Sequence, residues 1–185
     1  MKYYSQFEQD KFTYENYFQD TKEGYFVDIG AHDGTTFSNS RFFEELGWSG
    51  VCVEPNPKVF EVLQSTRKCK CLKKAIADHT GKGKFFQIVE GADMLSGLVD
   101  EFNERGIKNI HANLQGMENE FDYIDVELDL FDNIVDSTTI DFGKYDIKVI
   151  TVENNDYDNK FINFFTPKGY ERVVRLGCDE LYVKK

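Results

Sequence analysis

Residues 24–34 read Gly-Tyr-Phe-Val-Asp-Ile-Gly-Ala-His-Asp-Gly, and no other stretch limits the fold of this chain so strongly. Tyr25–Ile29 is a short apolar run with β-forming residues, fit for a buried strand. It runs into a loop with glycines at 30 and 34, and an amphipathic stretch follows. A strand, a glycine loop and a helix in that order let the backbone come close to a ligand, with loop N–H groups facing it. The plain alternative is an ordinary tight turn between strand and helix.

The spacing is not that of a dinucleotide fingerprint, because Gly30 and Gly34 are four apart and Asp28 stands before the first glycine. A carboxylate there would repel a pyrophosphate. It suits a cationic or hydroxyl-rich cofactor, and S-adenosylmethionine fits, with an α-ammonium, a sulfonium and no phosphate. A second apolar run, Gly50–Glu54, also ends in an acid, and Pro55-Asn56-Pro57 follows. In dinucleotide-type folds an acid at the end of the second strand accepts hydrogen bonds from ribose hydroxyls. Glu54 follows Asp28 at a distance that leaves room for one helical crossover. Pro57 suits the first turn of the next helix, where its missing N–H would be unsatisfied anyway.

Along the rest of the chain, β-rich runs are Lys84–Val89, Lys148–Glu153, Tyr170–Leu176 and Glu180–Val183. Amphipathic stretches that read as helices are Ser5–Phe18, Ser38–Leu46, Pro57–Thr66, Ala92–Arg105 and Asp158–Phe165. The alternation predicts an α/β fold, a single domain over 1–185, with a mostly parallel sheet covered on both faces. Only Gly177-Cys178-Asp179 separates the last two strands, so the chain ends in an antiparallel hairpin. Residues Glu118–Asp146 carry ten acids against one base, Lys144. Such a run is a solvated face, or else some of its acids line a cleft.

Composition narrows the partners. The chain has 185 residues, 41% hydrophobic and 15% aromatic, enough apolar surface for one core and too much for disorder. Its net charge of −11 argues against non-specific nucleic-acid binding and against anionic membrane surfaces. The first residues lack the apolar segment of a signal peptide, and no run reaches bilayer-spanning length. The four cysteines at 52, 69, 71 and 178 are too few and irregular for a disulfide framework, and Cys69-x-Cys71 lacks a second ligand pair for zinc. Reduced thiols, a cytoplasmic location and no bound metal are expected.

Taken together, these residues resemble the FkbM-type family of S-adenosylmethionine-dependent methyltransferases, most of which are assigned to O-methylation of sugars and related secondary metabolites. The resemblance is carried by Ser5-Gln6, Gln9–Phe12, Tyr25–Gly34, Ser38-Asn39, Gly47-Trp48, Val53–Pro57, Ala75–Asp78 and Met94–Leu98. It extends to Val149–Asn155, Gly169-Tyr170 and Gly177–Val183. It implies a Rossmann-like methyltransferase domain that binds S-adenosylmethionine and a small-molecule or glycan acceptor. It also implies that Asp28, Gly30, Ala31, His32, Asp33 and Gly34 surround the methionine part of the cofactor. Glu54 would take the ribose, Pro55 and Asn56 the adenine side, and Ala75 and Ile76 would lie near the adenine. Gln6 and Asp10 would stand near the entrance, or be exposed residues of an N-terminal helix. Met94–Leu98 reads as the start of a helix and, by the resemblance, as part of a cover over the site.

One segment departs from the family pattern, which has a further strand ending Asp-x-Glu-Gly-x-Glu before Val149–Glu153. Phe121–Leu128 can be laid on that motif, though its glycine is absent. Alternatively Asp125–Val135 matches the segment before it, and the motif is lost between Ser137 and Asp141. The second alignment is favoured. With it a central strand is gone, and Val149–Glu153 takes its slot or the sheet stays incomplete. Methyl transfer needs acceptor oxygen, methyl carbon and sulfur in line and a group to take the acceptor proton. Candidates for that proton are Asp125, Glu127, His111, Glu153 and Asp156, with Glu127 and Glu153 ranked first as catalytic residues. His111, between Ile110 and Ala112, reads more readily as a helix-surface residue than as a base. Two other classes stay open. One is a cofactor-binding protein that transfers nothing; the other is a nicotinamide-dependent oxidoreductase, disfavoured by Asp28.

Overall fold

The computed structural model describes residues 1–88, 93–101, 121–134 and 146–185. The chain opens with α1, Gln9–Thr13, which continues as a π-helical turn over Tyr14–Phe18. Then come β1, Tyr25–Ile29; α2, Arg41–Glu45; β2, Ser49–Val53; and α3, Pro57–Thr66. Pro57 stands in the first turn of α3, and the Asn56 side chain accepts the Lys58 N–H at 3.1 Å, closing one of the open donors of the helix end. Next are β3, Lys70–Leu72; β4, Ala75–Ala77; β5, Gly81–Ile88; β6, Gly97–Leu98; and β7, Phe121–Leu130, with a short α4, Phe131–Ile134. The C-terminal part holds β8, Val149–Glu153; α5, Lys160–Phe165; β9, Tyr170–Leu176; and β10, Asp179–Lys184.

The architecture is mixed α/β, but among the described residues the strands make three sheets. One is parallel, in the order β1-β2-β3, with Phe26 opposite Gly50 and Asp28 opposite Cys52. The second, β4-β7-β5-β6, has β7 parallel to β4 and antiparallel to β5. The third is β8-β10-β9, antiparallel throughout, and its β9–β10 pair is the hairpin expected at the end of the chain. The expected mostly parallel sheet is therefore corrected. Only three residues, Asp78–Thr80, join β4 to β5, too few for the crossover of about a dozen or more that brings a chain back in the same direction, so β5 runs opposite to β4 on the other side of β7. Among the described residues β1 pairs only with β2, and β8 only with β10.

Two helices are shorter than their sequence patterns. Ser5–Phe18 starts only at Gln9, because Glu8 takes φ +62° and Asp10 folds the preceding turn onto itself by accepting from Tyr4 N and Ser5 N. Ser38–Leu46 starts at Arg41, after Phe37 at φ +55°. The helix expected over Ala92–Arg105 is not found in its described part. There, one-turn 3₁₀ segments flank β6, which pairs with β5, and Ser96 Oγ accepts the Ile88 N–H at 2.9 Å. Ala92 and residues 102–105 lie outside the described residues, as does Val89 at the end of its strand. Within the acidic run, β7 alternates. Val126 and Leu128 are buried, while Asp125 and Glu127 face out.

An aromatic cluster fills the space under β1 and β2. Trp48 packs edge-on to Phe18 at 5.0 Å and against Phe43 at 4.8 Å, with Phe26, Phe42, Phe60 and Leu63 alongside. The cluster comes so close to the sheet that Gly50 is needed as glycine: a Cβ there would lie 2.5 Å from the Phe26 ring. Gly50→Ala is expected to lower the unfolding free energy by about 1–3 kcal/mol, the usual cost of overfilling a packed core. The urea midpoint would read it, and an unchanged midpoint would mean that Phe26 has room to move.

Candidate functional site

The loop after β1 lies across the end of β2. Gly30 N and Ala31 N both donate to the Val53 carbonyl, at 2.9 and 3.1 Å, and Gly34 N closes a turn onto Ala31 O at 2.9 Å. Gly34 takes φ +76°, and a Cβ there would sit 2.7 Å from the Leu63 and Arg67 side chains. Both its conformation and its surroundings require glycine. His32 adopts φ +50° and donates its backbone N–H to Glu54 Oε2 at 2.9 Å, while Asn56 N donates to Glu54 Oε1 at 2.8 Å. Glu54, only 6% exposed, is thus pinned between the glycine loop and the entrance to α3.

An open cleft of about 310 Å³ is lined by His32 and Asn56, the two residues whose amides hold this carboxylate, though not by Glu54 itself. Its walls are His32 and Asp33 from the loop, Asn56, Lys58 and Val59 from the start of α3, and Gln87 from β5. Asp33 is turned into its own loop and accepts from Thr35 N, Thr36 N and Thr36 Oγ1 at 2.6–2.8 Å. Buried Gln87 donates to Asn56 Oδ1 at 2.6 Å, so the residue that caps α3 is also fixed from the far wall. The glycine loop, a helix start, a buried glutamine and an apolar stretch of α3 line one space. Such a setting suits a ligand with hydroxyls and a flat apolar part.

Asp28 is held by residues the sequence did not single out. Its Oδ2 accepts from Ser40 Oγ, and Ser40 Oγ in turn accepts from Arg67 Nη2 at 3.0 Å. The Arg67 side chain is fully buried. It also donates to Gly34 O at 3.2 Å and Ser38 Oγ at 3.4 Å, and its Nε pairs with Glu44 at 3.0 Å. Arg67 is thus a positioning residue for the loop, reached only because α3 returns the chain to it. No local pattern marks it. It follows an amphipathic helix, where a basic residue ordinarily faces water.

The other expected residues are spread out. Pro55 is half-buried beside Glu54. Ala75 packs with Phe85, Val126 and Leu128, whereas Ile76 packs with Val51, Val53 and Ile134 beneath β2. Gln6 is exposed. Asp10, read as exposed or near an entrance, is 1% exposed, and four donors from Tyr4, Ser5 and Lys11 occupy its oxygens. The segment they belong to does run beside the loop, through the Ser5–Phe37 bridge. Glu127 is exposed on β7 and pairs with Lys74 at 3.0 Å; Asp125 pairs with Lys84 at 2.8 Å and Asp156 with Lys160 at 3.3 Å. Glu153, exposed at the end of β8, accepts from Asn155 Nδ2 at 2.6 Å and sits opposite Asp179. None of these acids lines the cleft. His111 lies outside the described residues, and among those described no cluster of His, Cys, Asp or Glu could hold a metal ion. Nor is any described helix long and apolar enough to cross a membrane.

Burial pushes the Glu54 carboxyl above its ordinary value, with the Asn56 and His32 amides pulling the other way. Burial does the same to Asp28, against the hydrogen bond from Ser40 and the charge of Arg67. An acid whose pKa is raised by folding holds its proton better in the folded state. Its contribution is present at acid pH and is lost as pH climbs from the ordinary value, 4.5 for Glu54, through the raised one. Glu54→Gln is therefore expected to gain stability relative to the parent protein as pH rises from 4.5. Urea unfolding of both proteins across pH 4–8 checks this, and a difference that stays constant with pH would mean that burial does not raise this carboxyl.

A family model described as the methyltransferase FkbM domain matches residues 28–160, more than half of the chain, beginning at Asp28 and containing the loop, Glu54 and the cleft. Neither among curated proteins nor among solved structures does anything match the chain.

Proposed function

Because the chain belongs to the methyltransferase FkbM domain family, we propose that its cleft binds S-adenosylmethionine and that the protein transfers the methyl group to a hydroxyl of a sugar or glycan. One observation carries this reading: the Glu54 carboxylate, held by the amides of His32 and Asn56, two residues that line the cleft. Each carboxylate oxygen accepts one backbone N–H and keeps a further lone pair, so a ribose with two adjacent hydroxyls matches its remaining capacity. Desolvation by the ligand is tolerable there because both amides stay in place. The Rossmann-like reading draws support from β1-β2-β3, a parallel sheet whose strand ends carry Asp28 and Glu54. Phe121–Leu130 lies beside β4 and β5 rather than between β1 and β8. That agrees with the alignment in which the family's next strand is absent.

When bound, the cofactor supplies an electrophilic methyl on a good leaving group, so the residues of the chain have to orient and to take a proton. The glycine loop and Asn56 would orient the cofactor by the shape of the cleft wall they form. Asp28, held by Ser40, offers a carboxylate to a cationic group without needing to move. For the proton, Glu153 ranks before Glu127: it ends β8, whereas Glu127 is engaged by Lys74. A second reading rests on the missing neighbour of β1 among the described residues: a protein that binds the cofactor and transfers nothing.

Calorimetry with S-adenosylhomocysteine is expected to show saturable binding and none with NAD. Glu54→Ala should weaken that binding by about 1.5–3 kcal/mol, the usual cost of hydrogen bonds to a charged acceptor. No heat and no thermal shift at millimolar ligand would sink the reading. With a hydroxyl acceptor, Glu153→Gln should lower kcat far more than cofactor affinity, and Glu127→Gln should change neither. Bound cofactor with no transfer to any glycan tested would favour the second reading.

A further inference from the structure

Behind the loop, outside the cleft, three of the four cysteines gather. Cys52 and Cys71 are opposite each other on β2 and β3, and Cys69 precedes β3. The Cys69 and Cys52 sulfurs are 3.5 Å apart, and all four cysteines are free thiols. Cys52 is fully buried and Cys69 half-buried, so oxidant can reach one thiol and the other waits behind it. We propose that this pair is an oxidative modification site, at which a hydroperoxide converts Cys69 and Cys52 into a disulfide that loosens the glycine loop.

The surroundings make Cys69 the attacking sulfur. The hydrogen bond between the Cys69 and Cys52 thiols lowers the Cys69 pKa, and the buried Arg67 charge lowers it further, against burial and Glu44. The Cys71 thiol is pushed up to about 11, chiefly by burial, which leaves it a poorer nucleophile at neutral pH. The Cys69 thiolate attacks the peroxide O–O bond, giving Cys69 sulfenic acid and releasing hydroxide, which takes up a proton as water. The Cys52 sulfur then attacks the Cys69 sulfur. The S–O bond breaks, the S–S bond forms, and the hydroxyl leaves with the Cys52 proton as a second water. Two thiols lose two electrons, and the peroxide gains them.

Closing the gap from 3.5 Å to a disulfide bond of about 2.05 Å draws the sulfurs together by more than 1 Å. Cys69 is two residues from Arg67, whose guanidinium holds Gly34 O and Ser40 Oγ and, through Ser40, Asp28. Cys69 N is also tied to Glu44, the ion-pair partner of Arg67. The segment 67–69 therefore cannot shift without disturbing the bonds that position the loop. Its effect on cofactor affinity rests on the function proposed above, whereas the disulfide and the loosening do not.

The full-length protein is treated with hydrogen peroxide, alkylated and cut with trypsin, which separates Cys69 from Cys71 at Lys70. A peptide joining Cys52 to Cys69 is expected. A Cys52–Cys71 or Cys69–Cys71 link, or overoxidised Cys69 without any link, overturns the assignment. Cys69→Ser should form no such link; since Cys52 is buried, Cys52→Ala serves as a second variant and should leave Cys69 as sulfenic acid. Hydrogen exchange over residues 28–40 should be faster in the oxidised protein, and equal exchange overturns the coupling to the loop. S-adenosylhomocysteine should bind about tenfold more weakly after oxidation, as for one lost charge-assisted hydrogen bond, and unaltered in Cys69→Ser. Equal affinity in both redox states refutes that coupling. If the reduced protein binds no S-adenosylhomocysteine, the function proposed above fails, and the peptide and exchange results still decide the thiol site.

Discussion

The buried guanidinium of Arg67 is the interaction on which the rest of the site is built. A charge taken out of water costs several kcal/mol unless its donors are met, and here they are met by four residues from three parts of the chain. Glu44 comes from α2, Ser38 and Ser40 from the segment before it, and Gly34 from the loop after β1. Its face also lies over the Phe26 ring of β1, 5.3 Å from the ring centre. The loop can hold its shape only while α3 delivers Arg67 to that point. Asp28 depends on the same contact at one remove, through Ser40.

The two chain ends add a second tie to this region. Gln9, buried in α1, donates to Asp179 at the start of β10 at 2.5 Å, and its own Oε1 accepts from Phe7 N. Asp179 stands opposite Glu153, so the N-terminal helix is fixed to the end of β8. Next to it Glu180, with no exposed surface, accepts from Arg172, Arg175, Asn154 and Tyr182. These contacts bring the ends of the chain to the strand that carries Glu153.

The strongly acidic character of the chain has a local answer. On β7 the acids alternate with apolar residues, so one face of the strand packs with Ala75 and Phe85 and the other is charged. Lysines from the connection before β4 and from β5 meet them: Lys74 pairs with Glu127 and Asp129, and Lys84 with Asp125. Exposed pairs of this kind contribute little stability. Their effect is to keep like charges of one strand from facing each other unrelieved. In this segment the solvated face, rather than a ligand-binding cleft, describes Asp125 and Glu127.

By itself the sequence determined the elements whose signals are local. The strands Tyr25–Ile29 and Tyr170–Leu176, the helix Pro57–Thr66 with Pro57 in its first turn, the terminal hairpin and the family all follow from periodicity, turn chemistry and motif. The alternation of acids and apolar residues in Phe121–Leu130 was also present, but the count of charges hid the period of two. Tertiary structure alone decided the rest. The division into three sheets depends on which strands find partners, and strand pairing is a long-range choice that a strand's own residues do not encode. The burial of Asp10 and the role of Arg67 depend on contacts between residues far apart in the chain. So does the 3.5 Å approach of Cys52 to Cys69. A basic residue after a helix and a cysteine before a strand carry no sign of such partners. Only the folded chain, by bringing α3 back over the glycine loop, gave them their surroundings.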